Sequence, residues 1–151
     1  MAADGPHRPS EPGTLLAFDF GTRRIGVALG NRLLRIAHPL TTIDAEANAV
    51  RFKAIAALVD AWRPERLVVG RPVHLDGTEH EMTLAAERFA RRLEGRFALP
   101  VTAVDERLTT QEAKSQLAAT GRGADRGARD AEAARLVLQA YFDGLPSGEG
   151  G

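Results

Sequence analysis

The chain has 151 residues, 44% hydrophobic and 26% charged, a balance that suits one globular domain and excludes disordered, fibrous and membrane-spanning classes. It has no cysteine, so disulfides and thiolate metal sites are excluded and any ion would be held by oxygen or imidazole. With 20 Lys and Arg against 20 Asp and Glu there is no global field to draw a polyanion, so a nucleic-acid partner must meet a local patch.

Residues 1–13 (MAADGPHRPSEPG) are rich in Pro and Gly and lack the apolar run of a signal peptide. A disordered tail and a cytoplasmic location are expected, with no membrane span anywhere in the chain. Thr14–Asp19 (TLLAFD) and Ile25–Leu29 (IGVAL) read as two paired strands. Leu33 to Ala37 predicts a shorter third strand closed by Pro39, after a tight hairpin at Gly30-Asn31. Asp44 is the expected N-cap of an amphipathic helix from Ala45 to Trp62, which Pro64 stops. Arg66–Gly70 (RLVVG) reads as a short buried strand. Thr78-x-x-Glu81 is a capping-box pattern opening a helix through Leu84, Ala85, Phe89 and Leu93 to Gly95. Val101–Asp105 (VTAVD) predicts the fifth strand, and Thr109-x-x-Glu112 opens a further helix to about Ala119. Beyond the Gly- and Arg-rich stretch TGRGADRGAR, a last helix is expected to start near Asp130 and to carry Ala134, Leu136, Val137, Leu138, Tyr141 and Phe142, with a disordered tail from Gly144. An antiparallel meander followed by β-α-β units implies an α/β fold in residues 14–143, with a mixed five-stranded sheet flanked by helices.

Sheets of this kind place ligands at the carboxyl ends of their strands. Asp19 ends a predicted strand and is followed by Phe20-Gly21-Thr22, where Gly21 lets backbone N–H groups approach an anion; the alternative is that Asp19 only starts a turn. Asp105-Glu106 ends another strand and is either a second pair of site acids or two solvated loop residues. Asp130, at a predicted helix start, is a third site acid or a simple cap. Carboxylates forced together repel and raise one another's pKa, so a cluster is stable mainly when a cation neutralises it. Oxygen donors without His or Cys point to Mg²⁺ or Mn²⁺. Two such ions about 3.5–4 Å apart can stabilise the attacking and leaving oxygens of a phosphodiester displacement. Arg122, Arg126 and Arg129 are interleaved with glycines and are either a phosphate-contacting loop or a solvated surface. The loop Val73–Thr78 (VHLDGT) has the Gly and Asp of a tight Asx-turn. His7, His38 and His80 read as surface or loop residues.

The blocks LLAFDFGTRRIGVALG (Leu15–Gly30), ERLVVGRPVHLDGTEHEMT (Glu65–Thr83), VDERLTTQEA (Val104–Ala113) and DAEAARLVLQAYF (Asp130–Phe142) occur in that order over roughly Thr14 to Asp143. Together they resemble the bacterial YqgF family, also called RuvX, the pre-16S rRNA nuclease and Holliday junction resolvase-like proteins. The resemblance implies an RNase H-like fold and a Mg²⁺- or Mn²⁺-dependent nuclease that processes the 5′ end of the 16S rRNA precursor. It also implies an RNA partner, with branched or single-stranded DNA as an alternative substrate. The site acids at matching positions are Asp19, the pair Asp105 and Glu106, and Asp130. Among them Asp19, Glu106 and Asp130 are the preferred metal ligands, Glu106 because it leaves the strand and can swing into the site. Arg107 follows and either contacts the scissile phosphate or pairs with Asp105 or Glu106. The family's usual Lys two residues before the last Asp is here Ala128, with Arg126 and Arg129 nearby, and His74 stands where the family often has Asn. Three rival readings are a rRNA-binding assembly factor without catalysis, a resolvase of four-way DNA needing a dimer for symmetric cuts, and an ATP-binding domain of the actin and sugar-kinase type. The last needs two such domains to close over ATP, and this length holds one.

Overall fold

A computed structural model describes residues 12–108 and 126–146. In chain order the elements are β1 (Thr14–Phe20), β2 (Arg24–Asn31), β3 (Ile36–Asp44), α1 (Asn48–Trp62), β4 (Arg66–Arg71), α2 (Glu81–Phe97), β5 (Val101–Asp105), a single 3₁₀ turn (Glu106–Leu108) and α3 (Arg126–Asp143). The five strands form one mixed sheet in the order β3-β2-β1-β4-β5. β1 pairs antiparallel with β2 and parallel with β4, so its carboxyl end lies at the same rim as those of β4 and β5. β1 is central and buried on both faces, which explains its unbroken apolar run. Leu16 and Phe18 meet Phe52 and Ile55 of α1 and Phe89 and Leu93 of α2. Leu15 and Ala17 face Ala134, Val137, Leu138 and Phe142 of α3.

Several local expectations shift. The third strand is Ile36–Asp44 rather than Leu33–Ala37, and the hairpin turn falls on Arg32–Arg35. Asn31 makes that turn: its Oδ1 accepts from the N–H groups of Leu33 (2.8 Å) and Leu34 (3.2 Å), while Arg35 takes φ 57°. Pro39 does not close β3, because β3 is an edge strand and the register slips between Val27 and Ala28, where a missing N–H costs little. Asp44 is the last residue of β3 and not a cap; α1 starts at Asn48 behind Ala47, with no side-chain cap. α2 is capped by His80 instead of Thr78: His80 Nδ1 accepts from Met82 N (3.2 Å) and Thr83 Oγ1 accepts from His80 N (3.1 Å). Thr78 instead closes the Asx-turn on Asp76 Oδ1 at 2.9 Å, next to Gly77 at φ 90°. α3 begins at Arg126, so Asp130 lies within the helix and caps nothing. Leu145 and Pro146 are held by Arg35, which donates to both carbonyls. The helix expected from Thr109 to Ala119 lies outside the described residues. Among the described residues no helix is long and apolar enough to cross a membrane.

Candidate active site

Side-chain alternation along β1 sends Asp19 to the α3 side of the sheet, with Leu15 and Ala17. Gly26 of β2 is its cross-strand partner. A Cβ on Gly26 would lie 1.9 Å from the backbone oxygen of Asp130. The bare strand therefore lets α3 press onto the sheet and bring the Asp130 side chain beside Asp19. Gly70 at the end of β4 does the same for Glu106, whose Oε2 would stand 2.6 Å from a Cβ there. The Asp19 carboxyl is pushed up to about 7, first by burial, then by the negative charges of Glu106 and Asp130. Three acids from three distant stretches of chain thus share one field at one rim.

Asp105 takes no part in this cluster. Val104 packs toward α3, so Asp105 points the other way and accepts from Arg107 N (2.8 Å), Nε and Nη2 (2.6 Å). Hydrogen bonding from Arg107 holds its carboxyl below the usual carboxylate range. Arg107 is therefore an ion-pair partner of Asp105, and its Nη1 also donates to Leu75 O at 3.3 Å, fastening the Val73–Thr78 loop to the end of β5. Arg129 is exposed in the first turns of α3 and Arg126 opens that helix, while Arg122 lies outside the described residues. His74 sets its ring edge-on to His80, 4.7 Å between centroids.

Among the described residues no three His, Asp or Glu side chains stand close enough to enclose an ion as placed. One reason is visible at Asp130, whose Oδ2 accepts from Arg24 Nε at 2.6 Å. The donor chemistry nevertheless fits a hard divalent cation: the facing groups are carboxylates, and after burial their repulsion adds to the rise at Asp19.

The model of the RuvX family, described as Holliday junction resolvase, matches residues 13–144. The chain belongs to the RuvX family. Two curated relatives named "Putative pre-16S rRNA nuclease" are similar over almost the whole length. That of Methylobacillus flagellatus is 56% identical over 140 residues, 91% of this chain and 96% of the relative. That of Nitrosomonas europaea is 57% identical over 134 residues, 87% and 90% of the two chains. The solved structure of T. thermophilus RuvC in complex with Holliday junction substrate aligns at a TM-score of 0.54 and 19% identity, covering 85% of this chain and 94% of that one. At that identity the likeness speaks for the RNase H-like fold alone. Within this RuvX chain, sequence reading missed Arg24, Gly26 and Gly70. A glycine inside an apolar strand is itself a sign of close backbone approach, so Gly26 and Gly70 were open to recognition. The Arg24–Asp130 pair, 106 residues apart, had no local signal.

Proposed function

We propose that the chain is a divalent-metal-dependent nuclease that cleaves phosphodiester bonds in the 16S rRNA precursor, acting in the cytoplasm. The observation that carries this reading is the convergence of Asp19, Glu106 and Asp130 at the carboxyl rim of the sheet. Asp19, Glu106 and Asp130 would hold Mg²⁺ or Mn²⁺, which when bound polarises the phosphate and acidifies an attacking water. The chain's own part is placement. β1 and the 3₁₀ turn after β5 fix two carboxylates, and α3 brings the third, whose Oδ2 accepts from Arg24 Nε. Hydrolysis joins the water oxygen to phosphorus while one P–O ester bond breaks, leaving a phosphomonoester and a hydroxyl.

The names of the relatives favour RNA, and the resolvase description of the family model keeps four-way DNA as a second substrate to test. Purified protein incubated with labelled precursor rRNA, single-stranded RNA and a four-way DNA junction, in Mn²⁺, Mg²⁺ or chelator, decides between them. We expect cleavage of the RNA substrates that stops in chelator and in Asp19→Asn. Cleavage undiminished by chelator would overturn the metal-dependent mechanism, and cutting confined to the junction would overturn the RNA assignment.

A further inference from the structure

Phe20 follows Asp19 but faces the opposite side of the sheet, where it packs on Phe89 (4.9 Å between centroids). It lines a cavity of about 290 Å³ together with Thr22, Arg51, Arg88, Phe89 and Arg92, and among the described residues no acid is part of the lining. Arg51 is 3% exposed, and among the described residues no carboxylate forms an ion pair with its guanidinium. Its Nε donates to Ala45 O (2.5 Å), its Nη2 to Gly21 O (2.7 Å), and its Cζ lies 5.4 Å from the Phe20 ring centre. Glu46 is the carboxylate whose field reaches it. Arg88 and Arg92 stand one turn apart on α2, an arrangement of like charges that costs helix stability. Among the described residues neither has an ion-pair partner. The cavity on the other flank of α2 differs: Arg71 there pairs with Glu87, and Glu94 shares the lining with Arg91.

Three guanidiniums around one apolar-floored hollow, without a counter-charge among the described residues of its wall, form an anion site. Its position names the anion, because the last residues of β1 present Asp19 to one side of the rim and Phe20 to the other. We propose that this hollow is a phosphate subsite holding the RNA strand that flanks the cleaved bond, the strand crossing the rim from Asp19 to Arg51, Arg88 and Arg92. The substrate class rests on the nuclease reading above; the anion chemistry does not.

The test is binding without turnover. The affinity of the wild-type chain for a labelled single-stranded oligoribonucleotide is measured by fluorescence anisotropy in chelator across a salt series, beside Arg88→Ala/Arg92→Ala and Arg88→Lys/Arg92→Lys. Both arginines are exposed, so the alanine pair should keep the wild-type melting temperature. We expect it to bind roughly tenfold more weakly or worse. Its log–log salt slope should fall by about 1.4, two single-strand phosphate contacts at about 0.7 each. The lysine pair should keep most of the slope. Unchanged affinity and slope in the alanine pair overturn the subsite. If inorganic phosphate raises the wild-type melting temperature but not that of the alanine pair, while oligoribonucleotide binding is equal in both, the hollow takes a free anion and the strand assignment fails. Cleavage is scored separately on the wild type in Mn²⁺. Arginine-dependent binding without cleavage would sink the nuclease reading and leave the subsite standing, and cleavage with arginine-independent binding would do the reverse.

Discussion

Asp19 and Asp105 are both strand-end acids, yet their surroundings drive their carboxyl groups in opposite directions. Arg107 holds Asp105 low, whereas burial and two facing carboxylates raise Asp19 to about 7 from 3.8. A carboxyl raised on folding contributes stability that is fully present below its unfolded pKa and is lost as pH climbs through the folded value. For Asp19 the loss therefore runs from about pH 4 to about pH 7 and amounts to a few kcal/mol, at about 1.36 kcal/mol per pKa unit. Asp19→Asn removes that penalty. In chelator its melting temperature should exceed the wild-type value at about pH 8, and the gap should close toward about pH 4, where the folded Asp19 carboxyl is neutral. Thermal melts across that range check it, and a gap independent of pH would mean that the Asp19 charge is compensated in the fold. The adjacency of Asp105 and Glu106 was legible in the sequence. Strand alternation from buried Val104 sends Asp105 away from α3, and the 3₁₀ turn that carries Glu106 back had no composition signal of its own.

At the scale of elements, glycines decide how closely helix and sheet approach. In Gly26→Ala the new methyl would meet the backbone oxygen and carbon of Asp130 at 1.9 and 2.4 Å, atoms that cannot rotate aside. α3 must then lift from β2, with an overpacking cost of about 1–3 kcal/mol or more, and Asp130 should retreat from Asp19. Urea unfolding should show the lost stability. Gly95→Ala is the opposite case: it lies within α2, nothing stands within 4 Å of the added methyl, and it should raise stability by up to about 1 kcal/mol. If both changes act alike, close approach at Gly26 is not what places α3. Strands β1, β2, β4 and β5 and the bodies of α1, α2 and α3 followed from hydrophobic periodicity. Their ends did not, because they depend on tertiary partners. Pro39 is tolerated only because β3 turns out to be an edge, and α3 extends ahead of Asp130 where Thr42 Oγ1 donates to Gly127 O.

The order β3-β2-β1-β4-β5 gathers chemistry from residues 19 to 130 at one rim, where the charges of Glu106 and Asp130 add to burial in raising Asp19. Arg24 is the built-in counter-charge to one of these acids. It starts β2 opposite Asp44, and its Nε lies 2.6 Å from Asp130 Oδ2. An arginine and a divalent ion drawn to the same carboxylate compete, since Asp130 cannot give its Oδ2 wholly to both and the two cations repel. A ligand that binds only the folded state raises stability by RT ln(1 + [L]/Kd), about 2.7 kcal/mol at a hundredfold excess over Kd. Mn²⁺ or Mg²⁺ should therefore raise the wild-type melting temperature in a concentration-dependent way, and Asp19→Asn should blunt the rise. Arg24→Gln releases Asp130 and removes the neighbouring positive charge, so its melting temperature should respond at lower Mn²⁺ than the wild type does. Without metal the same variant should be less stable, because Asp130 loses its ion-pair partner. The two shifts have opposite signs in one protein, which separates competition from simple damage to the fold. A variant that is destabilised without metal and also needs more Mn²⁺ would show instead that Arg24 acts by aiming Asp130 at the ion.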